Sequence, residues 1–225
     1  MISVTFLSTT QFILGIILTE IKLTLLDLFV KNNENIFYIH YSLLALVLNT
    51  IYKKIKADDE KWIVSQECAE KLKFFGKEIT IEGDIAGTEI IGKSATTLHN
   101  NQEIPILEAE FVEPAIGTGL VMSVPAHAPK DYQALMDLKA KNHELASKIE
   151  PIPIISTEGY GEIPAKEICE KMGVSDQSDQ KLEEATNELY LKEFTDGKLN
   201  DKCGNFQKML NFKNISEGKW YFKKR

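Results

Sequence analysis

The sequence has few cysteines and few histidines, and neither residue type is clustered. Cys68, Cys169 and Cys203 lie far apart and are odd in number, a pattern that does not predict a disulfide framework. The four histidines are equally scattered, whereas metal ligands typically recur at short, regular spacings. The glycine-containing segment 159–161 lacks the Lys-Ser/Thr ending of a phosphate-binding loop. We therefore expect neither a metal site nor a cofactor.

An excess of basic residues is also absent. The chain carries 26 Lys and Arg against 33 Asp and Glu, which gives a formal net charge of −7. Because basic contacts to phosphates supply most of the affinity for nucleic acid, an acidic chain is not expected to bind it tightly by charge alone. The C-terminal residues 210–225 differ, since Trp220, Tyr221 and Phe222 precede three basic residues. Such a tail could contact RNA by stacking and charge, but we interpret it as an extension that follows the folded domain.

No apolar run is long enough and free enough of charge to predict a membrane helix. Residues 12–30 approach the required length, but Glu20, Lys22 and Asp27 interrupt them. Each of these charges would cost roughly 2.5–3.5 kcal/mol near the centre of a bilayer. No basic residue precedes the run and no small-residue cleavage site follows it, so a signal peptide is not predicted either. We expect a cytoplasmic protein, with membrane association through residues 12–30 as an alternative.

The composition is that of a globular protein, but it changes along the chain. Of the 225 residues, 44% are hydrophobic and 26% are charged, as is usual for folded domains. Of the first fifty residues, 29 are hydrophobic, which is a larger fraction than in the whole chain. The sequence thus predicts an apolar extension over residues 1–49, a folded domain over 50–209, and the tail over 210–225. Residues 1–48 are expected to pack poorly against the folded domain.

Residues 117–132 carry the clearest local signals. The apolar run 120–124, bounded by Gly119 and Pro125, predicts a short buried strand. Pro125 and Pro129 enclose Ala-His-Ala, so the backbone between them is expected to turn rather than to form a helix. Pro129 is favoured at the first position of a helix. The pattern therefore predicts a strand, a bend and a helix start.

This bend would bring His127 and Asp131 together. A carboxylate in the first helical turn is stabilised by the unpaired N–H groups there, and at such a place Asp131 is expected to lie near solvent. Sites at strand-to-helix bends often bind ligands. The alternative is that the two side chains only cap the helix.

Residues 117–132, Gly-Thr-Gly-Leu-Val-Met-Ser-Val-Pro-Ala-His-Ala-Pro-Lys-Asp-Tyr, resemble the signature of the editing domain of leucyl-tRNA synthetase in its archaeal and eukaryotic form. The resemblance extends over about residues 50–209. It implies hydrolysis of the ester of a misacylated leucine tRNA by an ordered water, with Asp131 holding the α-amino group and His127 positioning the ester or the water. It places five further residues in the substrate pocket: Met122, Val124, Pro125, Ala126 and Ala128.

The resemblance also implies an α+β fold, with a β-barrel-like core of short strands and helices packed outside. Ser65 is expected to cap the helix that follows it. The sequence pattern predicts strands over residues 78–82, 89–92, 94–98, 104–112 and 151–155, and helices over 66–72, 129–148, 164–172 and 175–194.

Glu108 and Glu110 are a second pair of candidate catalytic carboxylates. Side chains two residues apart on a strand point to the same side. We interpret this pair as a solvent-facing surface of a half-buried strand.

Three family motifs are missing, and their absence limits the expected function. The His-Ile-Gly-His and Lys-Met-Ser-Lys-Ser motifs are absent, so this chain is not expected to activate leucine with ATP. The threonine-rich loop Thr-x-Arg-Pro-Glu-Thr, which forms half of the family's editing pocket, is absent too. We therefore expect an impaired editing domain whose partner is the 3′ end of misacylated leucine tRNA. The alternatives are a non-catalytic remnant and a weak tRNA-binding module.

Overall fold

The computed structural model describes residues 42–58, 60–75, 78–96 and 102–199. Four of its strands, β1 (Leu43–Leu46), β5 (Ser94–Thr96), β6 (Glu103–Glu108) and β7 (Val121–Ser123), form a sheet in the order β5-β6-β1-β7. A second sheet has the order β3-β2-β4 and consists of β2 (Ile51–Ala57), β3 (Glu60–Ser65) and β4 (Ile79–Ala86). Two short strands, β8 (Ile155–Ser156) and β9 (Lys198–Leu199), pair with each other.

Six α-helices complete the described part of the chain: α1 (Gln66–Leu72), α2 (Gly87–Ile90), α3 (Pro129–Ala140), α4 (Glu144–Ser147), α5 (Pro164–Met172) and α6 (Lys181–Asp196). The predicted mixture of helices and strands is confirmed. The barrel-like core is not confirmed, because the sheets of the described residues do not close on themselves. None of these six helices is long and apolar enough to cross a membrane, and residues 12–30 and 210–225 lie outside the described residues.

Strand β1 occupies an inner position of the four-stranded sheet. It pairs in parallel with β6 and antiparallel with β7, and all four of its side chains are buried. A continuous apolar run such as Leu-Leu-Ala-Leu is typical of a strand that is covered on both faces. The prediction that residues 1–48 pack poorly is therefore wrong for β1, while residues 1–41 lie outside the described part.

Truncation of a β1 side chain should destabilise the protein strongly. Leu44 is 0% exposed and lies in the apolar cluster formed around Tyr52 and Ile106, so Leu44→Ala should lower the free energy of unfolding by about 2–5 kcal/mol. Ile51→Ala, at a side chain that is 51% exposed, is the control and should change it by about 0.5 kcal/mol or less. Urea unfolding measures both; equal midpoints for the two variants would show that β1 does not lie in the core.

The region after β3 agrees with the sequence in part. Ser65 accepts a hydrogen bond from the Cys68 backbone N–H at 3.1 Å, which confirms the predicted cap of α1. The strand predicted over residues 89–92 is wrong, because this segment belongs to α2 and the turn after it. The Glu89 carboxylate accepts from the Ala86 N–H at 3.0 Å and so closes the first turn of α2. A Cβ at Gly87 would lie 2.5 Å from the Val47 carbonyl oxygen, so only glycine fits there.

The helix predicted over residues 129–148 is two helices. Helix α3 ends at Ala140, and Asn142 adopts a left-handed backbone with φ of 56°. The His143 side chain then accepts a hydrogen bond from the Ala146 N–H and starts α4. Asparagine tolerates the left-handed conformation better than most residues, and this local preference ends α3.

Helix α6 begins six residues later than the predicted start at residue 175. The carboxylates of Asp176 and Asp179 accept hydrogen bonds from the backbone N–H groups of Ser178, Ser175 and Lys181. Short acidic side chains favour such turns over a helix. The prediction of α5, by contrast, is confirmed, including the left-handed residue Gly173 that ends it.

The bend between β7 and α3 is enclosed by two apolar clusters. On one side α3 packs against β1 and β6 through Leu135, Leu138 and their neighbours. On the other side α3 packs against α5 and α6, with Tyr132 next to Ile168 and Leu189. The bend therefore lies between the four-stranded sheet and the helix pair α5–α6.

Candidate functional site

The predicted strand, bend and helix start are confirmed. Strand β7 ends at Ser123, and the backbone then turns so that the N–H groups of His127 and Ala128 both donate to the Val124 carbonyl, at 2.9 and 3.0 Å. Pro129 is the first residue of α3. The two prolines and the shared acceptor fix the backbone of residues 124–128, which we call the bend.

Asp131 faces the bend rather than solvent. Its side chain is 6% exposed, and its Oδ2 accepts a hydrogen bond from the Val124 N–H at 2.7 Å. Ala128, the residue before α3, has no side-chain cap. The expected solvent-near position of Asp131 is therefore wrong, because the carboxylate turns back onto the bend and is buried there.

A small cavity lies beside Asp131. Its volume of about 10 Å³ is close to the room that one water needs. The cavity is lined by Leu43, Ala45, Glu108, Ala109, Phe111, Ser123, Asp131, Ala134, Leu135 and Leu138. Among the predicted site residues, Asp131 is the one that lines it.

The cavity also corrects the interpretation of the two glutamates at the end of β6. Glu110 is exposed, but Glu108 is half-buried and lines the cavity together with Asp131. The prediction that both side chains face solvent assumed that the strand continues to Glu110. Strand β6 instead ends at Glu108, so the alternation of a strand does not apply to Glu110. Glu108 therefore lies beside the candidate site, whereas Glu110 is exposed.

His127 is fully engaged by other parts of the protein. It is 1% exposed, and its Nδ1 lies 2.7 Å from Glu193 Oε1. Its Nε2 accepts hydrogen bonds from the backbone N–H groups of Ile154 and Ile155, at 2.9 and 3.3 Å. A neutral imidazole whose Nε2 accepts carries its proton on Nδ1, which then donates to Glu193. No ring nitrogen is left to hold an ester or a water, so the geometry supports a structural task for His127.

Glu193, the buried partner of His127, was not among the residues predicted from the sequence. It is 1% exposed; burial raises the pKa of its carboxyl group, and the hydrogen bond from His127 partly offsets that rise. A local signal existed, because Glu193 lies four residues after Leu189 and three after Tyr190, on the apolar stripe of α6. A carboxylate on a buried stripe is unusual unless it is paired.

Tyr190 lies one turn before Glu193 on the same side of α6. Burial raises the pKa of the Tyr190 phenol well above its ordinary value, and the nearby charges of Asp131 and Glu193 raise it further. Helix α6 therefore presents two polar side chains, one turn apart, to the region of the bend.

The remaining predicted pocket residues lie in β7, for Met122, and in the bend, for the other four. Met122 and Val124 are half-buried, and Pro125, Ala126 and Ala128 are buried. The Ala126 carbonyl accepts from the Ala165 N–H of α5 at 3.0 Å. Their contact with a substrate stays a prediction.

Neither a metal cluster nor a reactive thiol is found in the described part of the chain. No group of three or more His, Cys, Asp and Glu residues there is placed to hold a metal ion. Burial raises the pKa of the Cys68 and Cys169 thiols to about 12, and a thiol that stays protonated is a poor nucleophile.

Comparison with known proteins identifies the class to which this fold and bend belong. The family model of the leucyl-tRNA synthetase editing domain matches residues 18–189, which is more than half of the chain. The chain therefore belongs to the leucyl-tRNA synthetase editing domain family. The match starts within the segment that was predicted as an extension, residues 1–49.

Individual relatives agree with this assignment. The leucine–tRNA ligase of Methanococcus aeolicus is 46% identical over 146 residues, which cover 65% of this chain and 15% of that protein. The leucine–tRNA ligase of Methanococcus vannielii is 46% identical over 181 residues, 76% of this chain and 18% of that protein. The chain thus spans less than a fifth of the length of these curated relatives.

A solved structure shares the fold. The crystal structure of the P. falciparum cytosolic leucyl-tRNA synthetase editing domain superposes with a TM-score of 0.65 at 20% sequence identity. The superposition covers 72% of this chain and 65% of that chain. The arrangement of sheets and helices described above is therefore that of an editing domain.

Proposed function

We propose that the chain binds the aminoacyl 3′ end of misacylated leucine tRNA, with Asp131 holding the α-ammonium group of the amino acid. The observation that carries this proposal is the burial of the Asp131 carboxylate beside a cavity whose other walls are largely apolar. An ammonium group paired with a partly desolvated carboxylate gains orientation as well as energy. An apolar amino-acid side chain suits the remaining walls.

Entry of a ligand requires the cavity to widen. Its present volume of about 10 Å³ accommodates about one water. Phe111 is half-buried at the cavity wall, and rotation of such a side chain costs little compared with movement of the backbone. Asp131, which the hydrogen bond from the Val124 N–H ties to the bend, would keep its place while Phe111 moves.

We further propose that binding occurs without efficient hydrolysis. The sequence contains no Thr-x-Arg-Pro-Glu-Thr, and its single arginine is Arg225. The resemblance to the family assigns half of the editing pocket to that loop. A protein nucleophile is not proposed, because Ser123 is buried in β7 and Cys68 and Cys169 are protonated, buried thiols. The reacting group would be an ordered water.

A binding experiment tests the proposal. A non-hydrolysable aminoacyl-adenosine analogue with an apolar side chain should bind the purified chain with a measurable heat in titration calorimetry, because the pocket offers both a carboxylate and apolar walls. The matched ligand without the α-amino group should bind at least about thirtyfold more weakly, since a buried charge pair is lost. Equal affinities of the two ligands, or no binding of either, would contradict the proposal.

A further inference from the structure

We infer that Glu193 is a positioning residue, which acts through His127 to hold the bend and thereby the carboxylate of Asp131. The inference rests on the proposed function, because it concerns the same site. It adds Glu193 of α6, which is distant in sequence from residues 117–132, to the residues that position Asp131.

The first step is a continuous chain of hydrogen bonds. Glu193 Oε1 accepts from His127 Nδ1 at 2.7 Å, and the His127 backbone N–H donates to the Val124 carbonyl at 2.9 Å. The Val124 N–H in turn donates to Asp131 Oδ2 at 2.7 Å. Every link in this chain is short, and the side chains of Glu193, His127 and Asp131 are all buried. A shift of the imidazole therefore shifts the group that fixes Asp131.

The second step concerns the other side of the imidazole. His127 Nε2 accepts from the N–H groups of Ile155, the first residue of β8, and of Ile154, which precedes it. The ring thus ties together the bend, β8 and α6. It can do so only as the tautomer with the proton on Nδ1, because Nε2 must keep its lone pair. The acceptor at Glu193 selects that tautomer.

The third step concerns the stability that the protein loses by burying Glu193. Its Oε2 is buried and has no hydrogen-bond partner among the described residues. An unsatisfied buried carboxylate oxygen lowers stability, because it has lost its hydrogen bonds to water without gaining others. A residue that lowers stability in this way is more simply explained by its effect on the site than by packing.

Two substitutions of Glu193 and one control test the inference. Glu193→Gln keeps an acceptor for His127 Nδ1 and should leave the tautomer unchanged. Its affinity for the aminoacyl-adenosine analogue should stay within about twofold of that of the unsubstituted protein. Glu193→Leu removes the acceptor and should weaken binding by about ten- to a hundredfold, as the loss of supporting hydrogen bonds around a site typically does. Leu182→Ala, in the apolar cluster at the other end of α6, destabilises the protein but should leave the affinity unchanged.

Two NMR measurements report on the positions directly and need no ligand. Long-range ¹H–¹⁵N correlations should show the Nδ1-protonated tautomer of His127 in the unsubstituted protein; the Nε2-protonated tautomer would overturn the inference without any variant having to fold. The carboxyl carbon resonance of Asp131 should shift in Glu193→Leu but not in Glu193→Gln or Leu182→Ala. An unshifted resonance in Glu193→Leu would also overturn it. If the unsubstituted chain fails to bind the analogue, the proposed function fails. The two NMR measurements still decide whether Glu193 positions Asp131.

Discussion

Asp131→Asn should remove most of the affinity for an aminoacyl-adenosine analogue while leaving the protein folded. The amide oxygen of asparagine can still accept from the Val124 N–H, which Asp131 Oδ2 bonds at 2.7 Å. The negative charge, however, is lost. Removal of one partner of a desolvated charge pair typically costs about 2 kcal/mol or more, which is roughly thirtyfold in affinity.

Asp131→Ala separates the structural part of this effect from the electrostatic part. It leaves the Val124 N–H unpaired next to a side chain that was 6% exposed, so the free energy of unfolding should fall by about 1–3 kcal/mol. Titration calorimetry gives the affinities and urea unfolding gives the stabilities. If Asp131→Asn binds the analogue as tightly as the unsubstituted chain, Asp131 does not hold the ammonium group.

The second large effect concerns turnover: the chain should not deacylate misacylated leucine tRNA at a useful rate. Rate enhancement in an ester-hydrolysing site depends on donors aimed at the ester oxygen and on a fixed water, and loss of one such donor typically costs about 10²–10³ in rate. The whole Thr-x-Arg-Pro-Glu-Thr segment is absent. An ammonium contact at Asp131 that is equal in the ground and transition states gives no increase in kcat.

Release of radiolabelled amino acid from mischarged tRNA measures this turnover. An editing domain of the same family that carries the threonine-rich loop is the positive control, and tRNA incubated without protein gives the background. Turnover by this chain that approaches the positive control would show that other residues rebuild the missing half of the pocket.

The bend and the start of α3 could be predicted from the sequence because their causes are local. Pro125 and Pro129 restrict the backbone, and a short apolar run precedes them. The same holds for the Ser65 cap and for Gly173, whose left-handed conformation is one that glycine adopts without strain. In each case the deciding residue lies within a few positions of the feature it determines.

The parts that could not be predicted depend on contacts between distant residues. Glu193 and His127 are 66 residues apart, and no periodicity links a glutamate on α6 to an imidazole at the bend. The burial of Asp131 follows from the way its carboxylate returns to Val124, whereas its position in the first turn of α3 suggests exposure. The inner place of β1 is likewise set by its partners β6 and β7.

The position of β1 has a consequence for synthesis of the chain. Its partners, Glu103–Glu108 and Val121–Ser123, leave the ribosome about sixty to eighty residues after Leu43–Leu46, because the N-terminal part emerges first. During that interval an unpaired Leu-Leu-Ala-Leu segment is exposed, and such segments are prone to aggregate before their partners arrive. The nascent chain should therefore depend on chaperones until β7 has emerged, after which the sheet can close around β1.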